Sequence, residues 1–399
     1  MLKTLRRAEY AELIALFFLQ GAASAMWLVP LSALLDAYNL QSIKVWAFAA
    51  NALAAFISPL LVGGMADRSG SPVPVLRWMS VATAVAAAIA GFAMKSHWNP
   101  GLVLALIQIY ALCAAPAFSL ISSIVLSRVV SAQSEFGPVR AMGTLGWIAG
   151  CLVISAFHAD GSVWATYITA ITCLLVCVCA SFLPPVKTPA FGSGHLSWHE
   201  RLGLDALTLL KNRDHRVVFI IVAAFNIPIS GFYPYGPPAL RDLGFTHLSA
   251  WMSLGQTTEV LSMFVLGGLL LRWRLKWIFA CGLSFGVLRF VISALPYKAA
   301  LVTGISMHGA SFALVYITAQ LYVDQRVEVS WRTRAQALLN LMYNGVGNLI
   351  GYIVCGWWFA SCTIPLGTHW PAFWLGLSGG MAVVLVYFLT AYQGQKARN

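Results

Sequence analysis

Charged side chains are scarce in this 399-residue sequence. Only 10% of the residues are Asp, Glu, Lys or Arg and just 13 are acidic, whereas 59% are hydrophobic. The mean hydropathy of +0.77 excludes a water-soluble domain. The sequence also lacks a Ser/His/Asp arrangement, a phosphate-binding loop and a nucleotide-binding motif. We therefore expect neither an enzyme nor an ATP-driven pump, and we expect no cofactor.

Cysteine is present, but not in a pattern that holds a metal. Almost all of the eight cysteines fall within apolar stretches, where a thiol behaves as a small hydrophobic group. The run CLLVCVC at 173–179 has no flanking His or carboxylate, which makes it a poor zinc site. We predict neither disulfides nor a metal site.

Long hydrophobic runs dominate the chain. Twelve of them approach the roughly 20 residues that a helix needs to cross about 30 Å of hydrocarbon. The predicted spans are 11–35, 43–66, 73–94, 100–127, 138–157, 162–183, 216–238, 247–271, 275–295, 299–323, 333–358 and 370–393. They are apolar on all sides and do not alternate with period 2, so we predict an all-α membrane protein and no barrel. The first run continues to full spanning length and is interpreted as an uncleaved helix, not a signal peptide.

The net charge of +12 comes from basic residues whose distribution among the loops indicates the orientation of the chain in the membrane. An even number of helices places both termini on one side, and most basic residues fall in the loops of that side. The opposite loops contain only Lys44, Lys95, Arg241 and Lys298. By the positive-inside rule, both termini are cytoplasmic. We therefore do not expect a nucleic-acid partner.

The spans form two halves of six helices, at 1–183 and 216–399, joined by a polar segment at 184–215. The linker begins with Pro and Gly, and its LGLDALTLLKN run predicts an amphipathic helix along the membrane surface. Six plus six helices with a cytoplasmic linker resembles the major facilitator superfamily, whose substrate site lies near the membrane midplane between the halves.

A motif after the second span supports this resemblance. In GGMADRSG, Gly63, Asp67, Arg68 and Gly70 are similar to the superfamily signature G-x-x-x-D-R-x-G. Glycine permits close helix packing and a tight turn, and the charged pair can act as a conformational latch on a neighbouring helix end. The alternative interpretation is a short charged turn.

Polar and aromatic residues within the spans share helix faces. The fifth span places Arg140, Thr144 and Trp147 at i, i+4 and i+7. The other candidates are Gln20 and Trp27, Ser230 and Tyr233, Gln256 and Glu259, and the group His308, Phe312 and Tyr316. Aromatic rings bury the flat part of a solute while polar groups bind its edge. These faces therefore favour a solute with a flat ring and several hydroxyls.

Glu259 is the one carboxylate near the middle of a predicted span. An ionisable group there costs roughly 2.5–3.5 kcal/mol, so it is a functional hypothesis by default. We predict that Glu259 couples transport to protons; the alternative is a permanently protonated structural acid. Arg140 can be interpreted in two ways, as a residue that lines the cavity or as one that extends to the membrane surface. His308 is either a titrating group or a hydrogen-bonded histidine of the core. Arg289 is interpreted as a structural or interface residue.

Several motifs together resemble the nucleoside:proton symporter family of the major facilitators. They are FFLQ…W in the first span, R-x-x-G-T-x-G-aromatic in the fifth, LGLDALTLLKN in the linker, Q-x-x-E in the eighth and LRF in the ninth. The resemblance implies proton-driven nucleoside import by alternating access across the bacterial inner membrane. It also implies that the nucleoside cavity is lined by Arg140, Thr144, Trp147, Gln256, Glu259 and Phe312, while Gln20 and Trp27 match family positions in the first helix.

The chain departs from the family pattern at four positions. Ala313 stands where the characterised nucleoside carriers have an aspartate just after the cavity phenylalanine, Ser230 and Tyr233 replace amides, and His308 replaces a tyrosine. These changes leave two alternatives open: a carrier for another polar solute, such as a sugar, a muropeptide fragment or a drug, and a non-transporting sensor. The expected partners are a small-molecule substrate, protons and the lipid bilayer, and we expect a monomer.

Overall fold

The computed structural model describes residues 10–69, 71–131, 135–183, 204–328, 331–365 and 367–394. The chain folds into two compact units. The described part of Met1–His195, with the short segment His247–Ser253, forms the first unit; the described part of Leu196–Thr246 and Leu254–Asn399 forms the second.

Helices make up almost all of the described structure. Before the linker they are α1 Ala11–Leu28, α2 Leu31–Ala37, α3 Lys44–Ser69, α4 Pro72–Lys95, α5 Pro100–Ala114, α6 Ala117–Leu126, α7 Gly137–Ala156 and α8 Trp164–Ser181, with a 3₁₀ helix at Gln41–Ile43. After the linker they are α9 Arg213–Ile229, α10 Phe232–Asp242, α11 Leu248–Met252, α12 Leu254–Arg272, α13 Leu275–Ser293, α14 Lys298–Phe312, α15 Thr318–Arg326, α16 Arg332–Asn340, α17 Asn348–Ser361 and α18 Trp370–Ala391.

All twelve predicted spans are helical. Ten helical segments of the described chain are long and apolar enough to cross a membrane. The other two predicted spans correspond to α3 and α12, of 26 and 19 residues. Large apolar side chains such as Phe264, Trp357 and Val383 are more than half exposed on the protein surface. An apolar surface of this kind is compatible with contact with lipid. Lipid offers no hydrogen-bond partners to backbone N–H and C=O groups, which the helices satisfy internally.

Several spans are interrupted, which the hydrophobic runs do not reveal. Pro30 and Pro116 separate α1 from α2 and α5 from α6, and Pro228 lies one residue before the end of α9. Proline removes a backbone donor and clashes with the preceding turn, so it breaks or kinks a helix. Two further spans contain π-helical segments, at Ala313–Ile317 and Leu341–Gly347.

The linker and one loop differ in detail from the predictions. Only the end of the linker is described, and it forms a 3₁₀ helix at Leu204–Lys211, tighter than the α-helix that its periodicity indicates. Asp205 draws this segment onto α16 through an ion pair of 2.7 Å with Arg334. Two-residue strands, β1 Thr363–Ile364 and β2 Gly367–Thr368, pair antiparallel in the loop before α18. They leave the all-α class unchanged.

Of the predicted latch, Gly70 lies outside the described residues. Gly63, Asp67 and Arg68 belong to the backbone of α3, but their side chains also lie outside what the structure describes. The latch therefore stays a prediction.

In the first unit, glycines allow α1 and α7 to pack with their backbones almost in contact. A Cβ added at Gly21 would overlap the carbonyl of Gly143, and one added at Gly146 would overlap the carbonyl of Phe18. A Cβ at Gly150 would press on the backbone of Ala22. Positions 143, 146 and 150 form one face of α7, so this face lies flat against α1.

The short segment His247–Ser253 packs in the first unit although the chain continues from it into α12. Asp160 Oδ1 accepts a hydrogen bond from the Ser249 amide at 2.7 Å, and Ser155 Oγ accepts from the Ala250 amide at 3.0 Å. These contacts satisfy two of the donors that are otherwise left open at the start of a helix. The first turn of α11 is thereby capped by the end of α7 and the loop that follows it.

In the second unit, α14 packs closely against both α12 and α13. A Cβ at Gly309 would overlap the backbone of Gly255 and Glu259 on α12. One at Gly304 would overlap the backbone carbonyl of Arg289 and the side chain of Ser293 on α13. The two glycines therefore allow α12 and α13 to approach α14 closely on its two sides.

We expect Gly146→Ala to destabilise the protein because the added methyl group meets a backbone carbonyl that cannot move aside. Overpacking of this kind costs about 1–3 kcal/mol. Gly137→Ala is the matched control on the same helix, since a Cβ there meets nothing within 4 Å. The measurement is the thermal unfolding midpoint of each purified variant in detergent. Equal midpoints for the two variants would contradict the close packing of α1 and α7.

Candidate functional site

The predicted face of α7 stands beside its glycine face. Thr144 and Trp147 each follow a glycine that packs against α1, so they are rotated by about 100° from that contact, and Arg140 lies on the same face one turn before Thr144. Arg140 is exposed, while Thr144 and Trp147 are half-buried. Among the described residues, Arg140 has no hydrogen-bond or ion-pair partner. The guanidinium is therefore available to a ligand.

The two candidates on α1 are both buried. Gln20 donates from Nε2 to Ser24 Oγ at 3.4 Å. Trp27 stacks on Tyr110 of α5, with ring centroids 3.7 Å apart and an interplanar angle of 20°. Tyr110 is not among the predicted site residues, and its place in the apolar run IQIYALC carries no polar periodicity that indicates it. Trp27 and Tyr110 together form a flat aromatic surface.

In the second unit, Gln256 and Glu259 lie on the part of α12 that touches Gly309. Gln256 is buried and donates from Nε2 to the hydroxyl of Tyr233 at 3.0 Å. Glu259 is half-buried, and its carboxylate lies within electrostatic range of the Tyr343 hydroxyl. The structure therefore brings three predicted residues, Tyr233, Gln256 and Glu259, into one region.

An aromatic cluster adjoins this region. The Tyr316 ring lies 4.2 Å from that of Tyr343 and 5.3 Å from that of Phe312, and its hydroxyl donates to Asn340 Oδ1 at 3.3 Å. Tyr316 and Tyr343 each belong to a π-helical segment, a distortion that is frequent at functional sites. Tyr343 is not among the residues predicted from the sequence. The signal that indicates it is the polar series 340, 343, 344 and 348 in an apolar span.

His308 contacts a residue that the sequence analysis assigned to structure. Arg289 Nη1 lies 2.5 Å from His308 Nδ1, and both side chains are buried. The His308 ring stacks on Phe232 with centroids 4.1 Å apart, and the Arg289 guanidinium lies over the rings of Phe232 and Phe290 at 4.8 and 4.6 Å. A buried cation over aromatic faces is stabilised by their negative quadrupole. Tyr233 lies next to this pair, with its ring centroid 6.3 Å from that of His308.

Ser230 is engaged in helix packing. Its hydroxyl donates to the Asn226 carbonyl at 2.7 Å and lies 3.0 Å from Asn348 Oδ1. Asn226 Nδ2 donates to the same Asn348 oxygen and to the Tyr343 carbonyl, each at 2.8 Å. This network joins α9 to α17 and to the π-helical segment that carries Tyr343.

The family model described as Nucleoside H+ symporter matches residues 9–397. The chain belongs to this family. The resemblance found in the sequence motifs is confirmed, and the match extends through both six-helix halves.

Three Escherichia coli (strain K12) relatives span nearly the whole chain. YegT is 31% identical over 403 residues, which cover 96% of this chain and 93% of YegT. Nucleoside permease NupG is 26% identical over 408 residues, covering 97% and 96% of the two chains. The xanthosine permease is 25% identical over 403 residues, covering 94% of each. The family consists of transporters, as the sequence analysis predicted, and not of enzymes.

Solved structures confirm the predicted fold class. The crystal structure of NupG superposes with a TM-score of 0.84 at 24% identity, covering 97% of this chain and 99% of that one. An aspartate-to-alanine mutant of NupG gives 0.87, covering 96% and 100%. A bacterial homologue of the human lysosomal transporter Spinster gives 0.67 at 15% identity, covering 97% and 96%. The family member described here has the twelve-helix major facilitator fold.

We expect Ser230→Ala to lower stability while leaving substrate affinity within about twofold of wild type, because the hydroxyl already serves the packing network. Asn348→Ala should destabilise more, by about 1–3 kcal/mol, since it removes the acceptor of one buried Asn226 amide hydrogen. Thermal unfolding and substrate binding are measured on the same preparations. A loss of affinity in Ser230→Ala at unchanged stability would show instead that the hydroxyl contacts the substrate.

Proposed function

We propose that this protein imports nucleosides by proton symport with alternating access. The observation that carries the proposal is the match to the nucleoside H+ symporter family over residues 9–397. The relatives named as a nucleoside permease and a xanthosine permease support it. Each unit also holds what such a substrate requires, namely aromatic surfaces for a planar base and hydrogen-bonding groups for its polar edges.

In the first unit, we assign substrate binding to the α7 face and the aromatic surface of α1. Arg140 and Thr144 supply a cation and a hydroxyl, and Trp147 supplies an aromatic ring on the same face. Trp27 is pre-organised by its stacking on Tyr110. A rigid aromatic wall binds a base without the ordering cost that a mobile side chain incurs.

In the second unit, we assign substrate binding to the region around α12 and α14. Tyr233, Gln256 and His308 form its polar part, and Phe312 and Tyr316 belong to its aromatic part. Glu259 is the proposed proton carrier. Its backbone is held against Gly309, while its side chain is half-buried within electrostatic range of the Tyr343 hydroxyl. A carboxyl in such a place changes protonation when its access to water changes.

The energy of one proton is adequate for import. A proton crossing 100 mV supplies about 2.3 kcal/mol. At about 1.4 kcal/mol per tenfold, this supports roughly fifty-fold accumulation of a neutral solute.

We expect Glu259→Gln to abolish uphill nucleoside accumulation and to leave counterflow exchange largely intact, because glutamine keeps hydrogen bonds but does not titrate. The measurement uses proteoliposomes with labelled uridine, with and without an inward proton gradient. Glu12→Gln is the matched control, since Glu12 is an exposed acid at the start of α1.

If Glu259→Gln accumulates nucleoside at the wild-type level, Glu259 does not couple transport to protons. If wild-type protein exchanges no nucleoside but does exchange a sugar, a muropeptide fragment or a drug, the substrate class is wrong. If it binds a solute and exchanges none, the protein is a sensor with a transporter fold.

The wild-type protein should discriminate weakly between ribose and deoxyribose. Ala313 is fully buried at the start of a π-helical segment and offers no side-chain acceptor for a ribose hydroxyl. A site without that partner does not reject the analogue that lacks the hydroxyl, so uridine and 2′-deoxyuridine should compete within about threefold. The measurement is competition for labelled uridine, repeated with Ala313→Asp, which should sharpen the preference for ribose. A strong preference for ribose in the wild type would show that another residue binds the hydroxyl.

We further propose that the two halves are 1–183 and 216–399, that both termini are cytoplasmic and that the protein works as a monomer. The distribution of basic residues among the loops supports the orientation. Reporter fusions at each end, read by cytoplasmic and periplasmic activity, test it.

A further inference from the structure

Three buried polar atoms in the second unit have no hydrogen-bond partner among the described residues: Gln256 Oε1, Arg289 Nε and Thr318 Oγ1. Gln256 is 5% exposed and Arg289 is 2% exposed. Buried polar groups are almost always paired, so each exception requires an explanation. The Gln256 amide already donates through Nε2 to Tyr233, and it is therefore the carbonyl that stays open to a ligand.

The contact between Arg289 and His308 determines which hydrogen the histidine carries. Arg289 has only donors, so His308 Nδ1, 2.5 Å from Nη1, must be the acceptor. The histidine is then neutral, with its hydrogen on Nε2. Stacking on Phe232 and the hydrogen bond from Arg289 together hold the ring in place. Among the described residues, Arg289 is the only hydrogen-bond partner of His308, so its Nε2–H is an unused donor of fixed direction.

The unused donor and the unused acceptor belong to two residues that both contact Tyr233. Tyr233 receives the hydrogen bond from Gln256, and its ring lies edge-on to His308 with centroids 6.3 Å apart. Gly255 packs against the Cβ and ring of His308 and the carbonyl of Ile305, which holds α12 and α14 together at this level. A ligand that satisfies both groups must offer an acceptor to His308 and a donor to Gln256.

We propose that His308 and Gln256 recognise the base edge of the nucleoside and select bases in which a ring carbonyl adjoins a ring N–H. Uridine and inosine carry this edge. Cytidine and adenosine carry the reverse pattern, an amino donor beside an unprotonated ring nitrogen, and they would present a donor to His308 and an acceptor to the Gln256 oxygen. Arg289 is a positioning residue, because it acts by fixing the histidine hydrogen. This inference rests on the proposed nucleoside transport.

The test is competition for labelled uridine in counterflow with proteoliposomes of the full-length protein. The competitors are two matched pairs, uridine with cytidine and inosine with adenosine, which keep ring type and sugar constant within each pair. We expect the oxo member to compete about tenfold better in both pairs, a difference of about 1.4 kcal/mol, because a site built to hydrogen-bond one pattern leaves its groups unpaired with the other.

Variants of Arg289 separate positioning from packing. Arg289→Met leaves His308 free to carry its hydrogen on either nitrogen, so the preference within each pair should fall below about threefold. Arg289→Lys keeps a donor toward Nδ1 and should retain the preference. Arg274→Met is the control, because it makes the same substitution at an exposed position at the start of α13. If Arg289→Met does not fold, the competition ratios of the wild-type protein within the two nucleoside pairs still test the selection by His308 and Gln256.

The outcomes distinguish this inference from the proposed function. If none of the four nucleosides competes, the nucleoside function falls and this inference falls with it. If all four compete equally, transport stands and the selection by His308 and Gln256 is wrong. A preference for cytidine and adenosine would overturn the assignment of donor and acceptor. Retained selectivity in a folded Arg289→Met would remove the positioning role.

Discussion

Helix packing in both units requires glycine at the points where two helix backbones come almost into contact. In a bilayer the hydrophobic effect does not draw helices together, so association relies on van der Waals contact, and small residues allow that contact. Gly21 and Gly146 let α1 and α7 lie against each other, and Gly304 and Gly309 let α14 lie against α13 and α12. A larger side chain at any of these positions would separate the backbones.

The residues that carry the chemistry are neighbours of these glycines. The packing of α7 against α1 sets the orientation of Arg140, Thr144 and Trp147, because these residues occupy the adjacent face of α7. His308 is one turn beyond Gly304, and it meets Arg289, whose own carbonyl lies against that glycine. The packing that holds the fold together therefore also sets the positions of the cation, the histidine and the carboxyl of Glu259.

Part of this arrangement is predictable from sequence. The twelve spans follow from hydrophobic runs, and the faces that carry Arg140 or Gln256 and Glu259 follow from helical periodicity. Periodicity indicates which residues share a face, but not which faces meet. For that reason it does not reveal the contact of Arg289 with His308, the place of Tyr343 in the aromatic cluster, or the engagement of Ser230 in helix packing. The π-helical segments also escape prediction, because they change backbone hydrogen bonding and leave hydrophobicity unchanged.

In proton symport, each nucleoside enters together with a proton. External pH is therefore recorded with an electrode while uridine is added to lightly buffered proteoliposomes that contain the wild-type protein. Proton symport predicts an immediate alkalinisation outside, in proportion to the uridine taken up, at about one proton for each nucleoside. Uptake of labelled uridine with no accompanying change in external pH would contradict proton symport.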